Sequence, residues 1–205
     1  MTDQASDPTE LVRRGYDVAG ASYTETRNEA QDLDELERFH ERLRRPAMVL
    51  DVGCGAGTPV GRYLVDRGHQ VIGIDISPKQ IELARRLVPE AHFEIRDMLD
   101  LEAGEYSVDG IISLYAVFHT PRERHGKLLR TFGSLLRPEG IMLLTMGSGA
   151  WEGVGAGFHG VEMYWSHFGR DENRRLVEEA GFSIELDDIK RQGTELHQVI
   201  IARRS

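Results

Sequence analysis

Four short stretches of this chain carry residue types able to do chemistry together, and they follow one another in a telling order. The first is Leu50-Asp51-Val52-Gly53-Cys54-Gly55-Ala56-Gly57-Thr58, an apolar run that passes straight into glycines. Gly53 and Gly55 let the backbone approach a ligand that any Cβ would push away. A helix start behind them offers unpaired N–H groups, a seat for a carboxylate or a phosphate. Asp51, at the strand end, presents acceptor oxygens to an ammonium group, directly or through water. The second stretch is Asp75-Ile76, where a carboxylate can accept both hydroxyls of a ribose. The third is Asp97-Met98, a carboxylate placed for an adenine amino group and a thioether for the ring. A lone aspartate there reads first as a strand-end or turn residue, but two earlier motifs in register reverse that reading in favour of the ligand. A dinucleotide-binding turn, G-x-G-x-x-G, needs glycine where Thr58 stands.

The fourth stretch runs from Ser113 through Leu114, Tyr115 and His119 to Arg122. His119 can serve as a base near neutral pH; the alternative is a histidine that caps or packs ahead of Pro121. Arg122 can meet an anion or simply stand in solvent. Farther on, Gly157-Phe158-His159-Gly160-Val161-Glu162-Met163-Tyr164-Trp165-Ser166-His167-Phe168 is dense in aromatics. His159, Tyr164 and Trp165 there suit a lid over an aromatic or apolar ligand, or else packing beneath the last helix. The histidine spacings fit no helical ligand pair, so no metal is expected.

The elements that must position these residues can be read from periodicity. A helix is expected from Pro8 to Ala19, then an aromatic-polar linker through Tyr23 and Arg27. A second helix runs from Leu33 to Arg44, with Leu33, Leu36, Phe39, His40 and Leu43 at helical spacing, and Pro46 stops it. Strands follow at Met48–Val52, Gln70–Asp75, His92–Ile95, Val108–Ser113 and Ile141–Met146, with helices between them. Gly68 ends the first intervening helix. Ser77 as N-cap and Pro78 at the first helical position open the next, which Pro89 closes. A helix is expected from Pro121 to Leu136, a glycine-rich loop from Gly147 to Gly160 and a last helix from Asp171 to Ala180. Phe182–Ile189 and Leu196–Ala202 then form a hairpin. Regular alternation implies a parallel sheet with helices on both faces, and the hairpin makes the last strand antiparallel.

With 205 residues, 40% hydrophobic and 29% charged, the chain reads as one α/β domain. Its expected parts are an N-terminal helical cap over 1–46, a core over 47–146, and a substrate-side loop, last helix and hairpin over 147–205. No run of about 18 apolar residues exists to span a membrane. Met1 to Glu10 is polar and acidic, unlike a secretory signal. Cys54 is the sole cysteine, which excludes an intrachain disulfide and a two-thiol redox motif and suggests the cytoplasm. A net charge of −9 disfavours nucleic acid as a partner.

Residues 47 to 146 resemble the Rossmann-like class I methyltransferases. Asp51-Val-Gly-Cys-Gly-Ala-Gly resembles the first motif of that family, Asp75 its ribose-binding acid and Asp97-Met98 its adenine contact. Leu135-Leu-Arg-Pro-Glu-Gly-Ile resembles the turn into its fifth strand. The resemblance implies a doubly wound, seven-stranded sheet with an antiparallel C-terminal strand. It also implies S-adenosyl-L-methionine as methyl donor, S-adenosyl-L-homocysteine as product and a small-molecule acceptor. Tyr16 to Tyr23 is similar to the segment that covers the donor in the small-molecule branch, which would bring Tyr23 to the methionyl end; two aromatics anchoring a cap helix is the plain alternative. The donor-binding set so implied is Tyr23, Asp51, Gly53, Cys54, Gly55, Asp75, Ile76, Asp97, Met98 and Leu114. Tyr115, His159, Tyr164 and Trp165 fall on the acceptor side, with His119 as candidate base. Ser113-Leu114-Tyr115-Ala116 is not the Asn/Asp-Pro-Pro-Tyr/Phe tetrad of adenine-N6 and glutamine methylation. A nicotinamide oxidoreductase, a non-catalytic donor-binding protein and a methyltransferase with a macromolecular acceptor stand as alternatives.

Overall fold

Alternation of apolar residues on two faces of one sheet organises the molecule, whose computed structural model describes residues 7–26 and 29–205. Strands β1 (Met48–Val52), β2 (Gln70–Asp75), β3 (His92–Ile95), β4 (Val108–Ser113) and the long β5 (Leu136–Gly147) pair in parallel. Two more, β8 (Phe182–Gln192) and β9 (Glu195–Arg204), complete a seven-stranded sheet in the order β3-β2-β1-β4-β5-β9-β8. β9 is antiparallel to both of its neighbours. The chain returns to the middle of the sheet between β1 and β4, the switch point where doubly wound folds open a crevice at the strand ends.

Successive strand residues face opposite ways, so β5 sends Met142, Leu144 and Met146 to one core and Ile141 and Leu143 to the other. On the first face lie α5 (His125–Leu135), with Leu129 and Phe132, and α6 (Arg170–Glu179), with Val177. On the second lie α2 (Leu33–Arg42), with Leu36 and Phe39, and α3 (Val60–Val65), with Val60 and Leu64. A further helix, α4 (Pro78–Leu87), buries Ile81 and Ala84 against Phe93 of β3. Its start follows the expected logic: Ser77 Oγ accepts from Gln80 N at 3.2 Å and Pro78 occupies the first turn.

Several boundaries differ from expectation. Helix α1 (Pro8–Thr26) continues through the segment read as a linker, so Tyr23 lies on a helix; its side chain is outside the described residues, as is Arg27. The helix expected from Pro121 begins only at His125, after single turns at Val117–His119 and Arg122–Arg124. The glycine-rich loop is mostly a strand. β6 (Trp151–Phe158) pairs antiparallel with β7 (Val161–His167), turning at His159-Gly160. Its glycines 153, 155 and 157 alternate, which is strand periodicity. At Gly155 a Cβ would lie 2.8 Å from the Trp165 ring, so glycine here admits an aromatic neighbour. Hairpin and α1 pack together through Val12, Met163 and Tyr164 to cap the strand ends. Among the described residues, no helix is long and apolar enough to cross a membrane.

Candidate functional site

The carboxyl ends of β1 to β4, roofed by α1, enclose a cleft of about 730 Å³ that opens to solvent. From β1 comes the glycine turn. Gly53 has φ +75°, and a Cβ on it would lie 2.3 Å from the Ala116 methyl, so only glycine fits. Gly53 N and Cys54 N donate to Ile74 O at 2.8 and 3.0 Å, fastening the turn to β2.

At the end of β2, Asp75 faces the cleft. Its Oδ2 accepts from Gly55 N at 2.9 Å and its Oδ1 from Ser77 N at 2.8 Å. Burial pushes its pKa up to about 6 despite those donors. From β3 follow Asp97 and Met98; Asp97 Oδ1 accepts from Leu99 N at 2.9 Å, and burial raises its carboxyl pKa as well. From β4 come Leu114, Tyr115, Ala116, His119 and Thr120. Tyr115 sits at φ +58°, a costly conformation for a residue with a Cβ. Two bonds hold it there: its hydroxyl donates to Asp32 Oδ1 at 2.8 Å, and its N–H to Thr145 Oγ1.

His119 is buried. Its Nδ1 lies 2.8 Å from Tyr164 O and can only donate to it, so in the neutral ring Nε2 carries the lone pair. Nε2 accepts from the Tyr16 hydroxyl at 3.0 Å. Burial lowers the His119 pKa to about 4, so the imidazole is neutral at pH 7. Tyr16 belongs to α1, which supplies Thr9 and Val12 to the same wall. Asp17 on that helix accepts from Ser77 Oγ at 2.6 Å, latching the cap to the start of α4.

Thus Gly53, Gly55, Asp75, Ile76, Asp97, Met98, Leu114, Tyr115 and His119, all singled out by sequence, line one cleft. Others do not reach it. The Cys54 thiol points into the Ile81, Ala84 and Phe93 cluster, where burial pushes its pKa well up; only its backbone belongs to the turn. Asp51 is buried within β1 and does not line the cleft. His159 is exposed at the hairpin turn. Tyr164 presents its carbonyl to His119 while its hydroxyl donates to Glu152 at 2.8 Å. Trp165 lies behind His119, ring centroids 5.8 Å apart.

Sequence reading passed over Gln80. It stands in the first turn of α4, is 1% exposed and lines the cleft, and neither its amide oxygen nor its nitrogen has a hydrogen-bond partner among the described residues. Such an amide costs about 1–3 kcal/mol unpaired, a cost a polar ligand relieves. Its one sequence signal is its place on the helix that Asp75 leads into.

Glycine turn, acidic strand ends and switch-point crevice define a Rossmann-like nucleoside-binding fold. Residues 49–140 match a family model described as a methyltransferase domain. The chain is 31% identical over 147 residues to the O-methyltransferase cnsE of Penicillium expansum, covering 66% of this chain and 52% of that one. It is 30% identical over 171 residues to the methyltransferase GfsG of Streptomyces halstedii, covering 76% and 61%. It therefore spans little more than half the length of these curated relatives. Other relatives are named as tRNA and rRNA methyltransferases. The fold is similar to the 1,6-didemethyltoxoflavin-N1-methyltransferase of Burkholderia thailandensis, crystallised with 1,6-didemethyltoxoflavin and S-adenosylhomocysteine (TM-score 0.77, 23% identity, covering 100% of this chain and 93% of that one). Over residues 49–140 the chain is thus similar to methyltransferase domains, and its fold is that of Rossmann-like structures crystallised with S-adenosylhomocysteine.

The residues present fit the corresponding donor, S-adenosylmethionine. Gly53 and Gly55 leave a cradle where a Cβ would intrude or strain the backbone, and the Gln80 amide awaits a polar partner. Asp75 keeps acceptor capacity beyond its two backbone donors.

Proposed function

We propose that this protein transfers a methyl group from S-adenosylmethionine to a small-molecule acceptor. The observation that carries the reading is the meeting of the glycine cradle, Asp75, Asp97-Met98 and the Tyr16–His119 pair in a single cleft. Bound there, the donor supplies an electrophilic methyl on a sulfonium. Asp75 takes the ribose hydroxyls, Asp97 the adenine amino group and Met98 the ring face, while Gly53 and Gly55 admit the methionyl end. Val12, Ile76, Leu114 and Ala116 give apolar walls that exclude water from the reacting groups. The nucleophile must stand about 3–3.5 Å from the methyl carbon, in line with the bond that breaks.

His119 is the candidate base. Its Nε2 lone pair faces α1, where the Tyr16 hydroxyl holds it; an acceptor O–H or N–H in that place would give up its proton to the same nitrogen. The proton taken up replaces, within the cleft, the positive charge that the sulfonium loses. The buried site thereby keeps its total charge through the transfer, which a base of pKa about 4 needs in order to act. A small acceptor is supported by the structural neighbour crystallised with 1,6-didemethyltoxoflavin. Charge argues against RNA, the acceptor of some relatives: −9 repels a phosphate backbone.

A thermal-shift panel with S-adenosylmethionine, S-adenosylhomocysteine, NADH and NADPH tests the donor assignment. At about 100 times Kd a ligand stabilises by roughly 2.7 kcal/mol, about 5–10 °C for a domain of this size. Shifts with the two sulfur compounds alone are expected, and a shift with a nicotinamide alone would refute the reading. Radiolabelled methyl transfer to small-molecule mixtures then separates an enzyme from a non-catalytic donor-binding protein.

A further inference from the structure

A second, solvent-open cavity lies across the Val117–His119 turn from the donor cleft, between the β6–β7 hairpin and the ends of β5 and β9. Its walls are rings. Phe118 and His197 stack at 5.8 Å with an interplanar angle of 20°, and Trp151 and His167 lie 6.4 Å apart at 33°. Trp165 joins the second pair, 6.3 Å from Trp151. Gly147 makes the arrangement possible, since a Cβ there would fall 2.1 Å from the His167 ring nitrogen. Glu195, at the rim, is the only formally charged side chain among the described lining residues, and its carboxylate is 73% exposed.

We infer that this cavity is a second binding site, for a planar aromatic compound carrying an O–H or N–H at its edge. Flat ligands gain from ring faces and edges held at a few ångströms, beyond the area they bury. The rim carboxylate accepts a hydrogen bond and turns away anions, so the ligand is neutral or cationic. The site stands independently of the methyl-transfer reading, but it touches that chemistry: Phe118 adjoins His119 in the chain and Trp165 packs behind its ring.

The chain has two tryptophans, and both line this cavity; Trp165 also packs behind His119, so it is the Trp151 indole N–H signal in a ¹⁵N spectrum that reports on the cavity. Titration with 2-naphthol should move the Trp151 signal saturably, whereas decahydro-2-naphthol, equally bulky but without a ring face, should leave it in place. Saturating S-adenosylhomocysteine should not displace the naphthol. Trp151 is 44% exposed on a hairpin edge, so Trp151→Leu should fold, keep its melting shift with S-adenosylhomocysteine and bind naphthol about threefold to tenfold more weakly. An unmoved Trp151 signal at millimolar naphthol, equal response to the saturated compound, or competition with S-adenosylhomocysteine would each overturn the assignment. None of these results alters the thermal-shift test of the donor, so the two readings fail separately.

Discussion

Replacing Gly53 by alanine tests the idea that the β1 turn is built to touch its ligand. Two costs follow from the structure. The backbone sits at φ +75°, where a Cβ costs about 1–2 kcal/mol. The new methyl would also lie 2.3 Å from the Ala116 Cβ, far inside an ordinary contact of about 3.5–4.0 Å. Relieving that overlap in a packed wall costs about 1–3 kcal/mol more. The sum is about 2–5 kcal/mol, or roughly 5–15 °C in Tm for a domain of this size. Because Ala116 lines the donor cleft, donor affinity should fall as well. Adding Ala116→Gly removes the atom that is struck. The double variant should recover the steric share and keep the backbone share, with a coupling of at least about 1 kcal/mol in a double-mutant cycle. Urea unfolding of the four proteins measures this directly. Strict additivity, or a Gly53→Ala protein as stable as the parent, would refute the reasoning.

Asp75→Ala should weaken S-adenosylhomocysteine binding at least tenfold in calorimetry, since a ribose would lose its charged acceptor. The same carboxyl, with its pKa raised to about 6 by burial, makes the ligand-free protein more stable when protonated; that contribution is lost as pH rises through about 6. Ribose hydroxyls favour the ionised form, so donor affinity should increase from pH 5 to pH 7 with release of a proton, seen as a buffer-dependent binding enthalpy. His119→Gln should keep donor affinity and lower turnover by about 10²–10⁴, and full turnover would dismiss it as the base. His119 and His125 are both held near pKa 4 by burial. Unfolding frees them to take protons from about pH 6.5 downward, so their share of the stability should be lost as pH falls from about 6.5 to 4. Comparing the melting profile of His125→Gln over that range isolates one of them.

Strand ends were the most legible part of the site. Asp75 ends β2 and Asp97 follows the end of β3 by two residues, and parallel strands end on the same edge, so residues far apart in sequence meet. Residues brought by helix packing were legible only by resemblance, as for the Tyr16–Tyr23 segment, or not at all. Tyr16 reaches His119 across 103 positions because α1 folds over the strand ends, and Gln80 enters the cleft only through the pitch of α4. Cys54 shows the limit from the other side: it belongs to the motif by position, yet alternation along the turn sends its thiol into the core. In β6, glycine content hid a two-residue period. The Trp165 ring, opposite Gly153 in the register, takes the space that Gly155 leaves.

The position of β9 in the sheet has a consequence for how the chain is made. β8 pairs with β9 alone, and β9 reaches β5 through partners such as Ile141 and Arg203, far apart in sequence. On a ribosome, β5 therefore waits with one edge open until β9 has emerged, and β8, made earlier, has nothing to dock on. Closing that long loop is slow, and an apolar strand edge exposed meanwhile invites association with other chains. Assembly begins at the donor-binding half and is sealed from the opposite end, so a nascent chain can offer a nearly formed cleft before its sheet is complete.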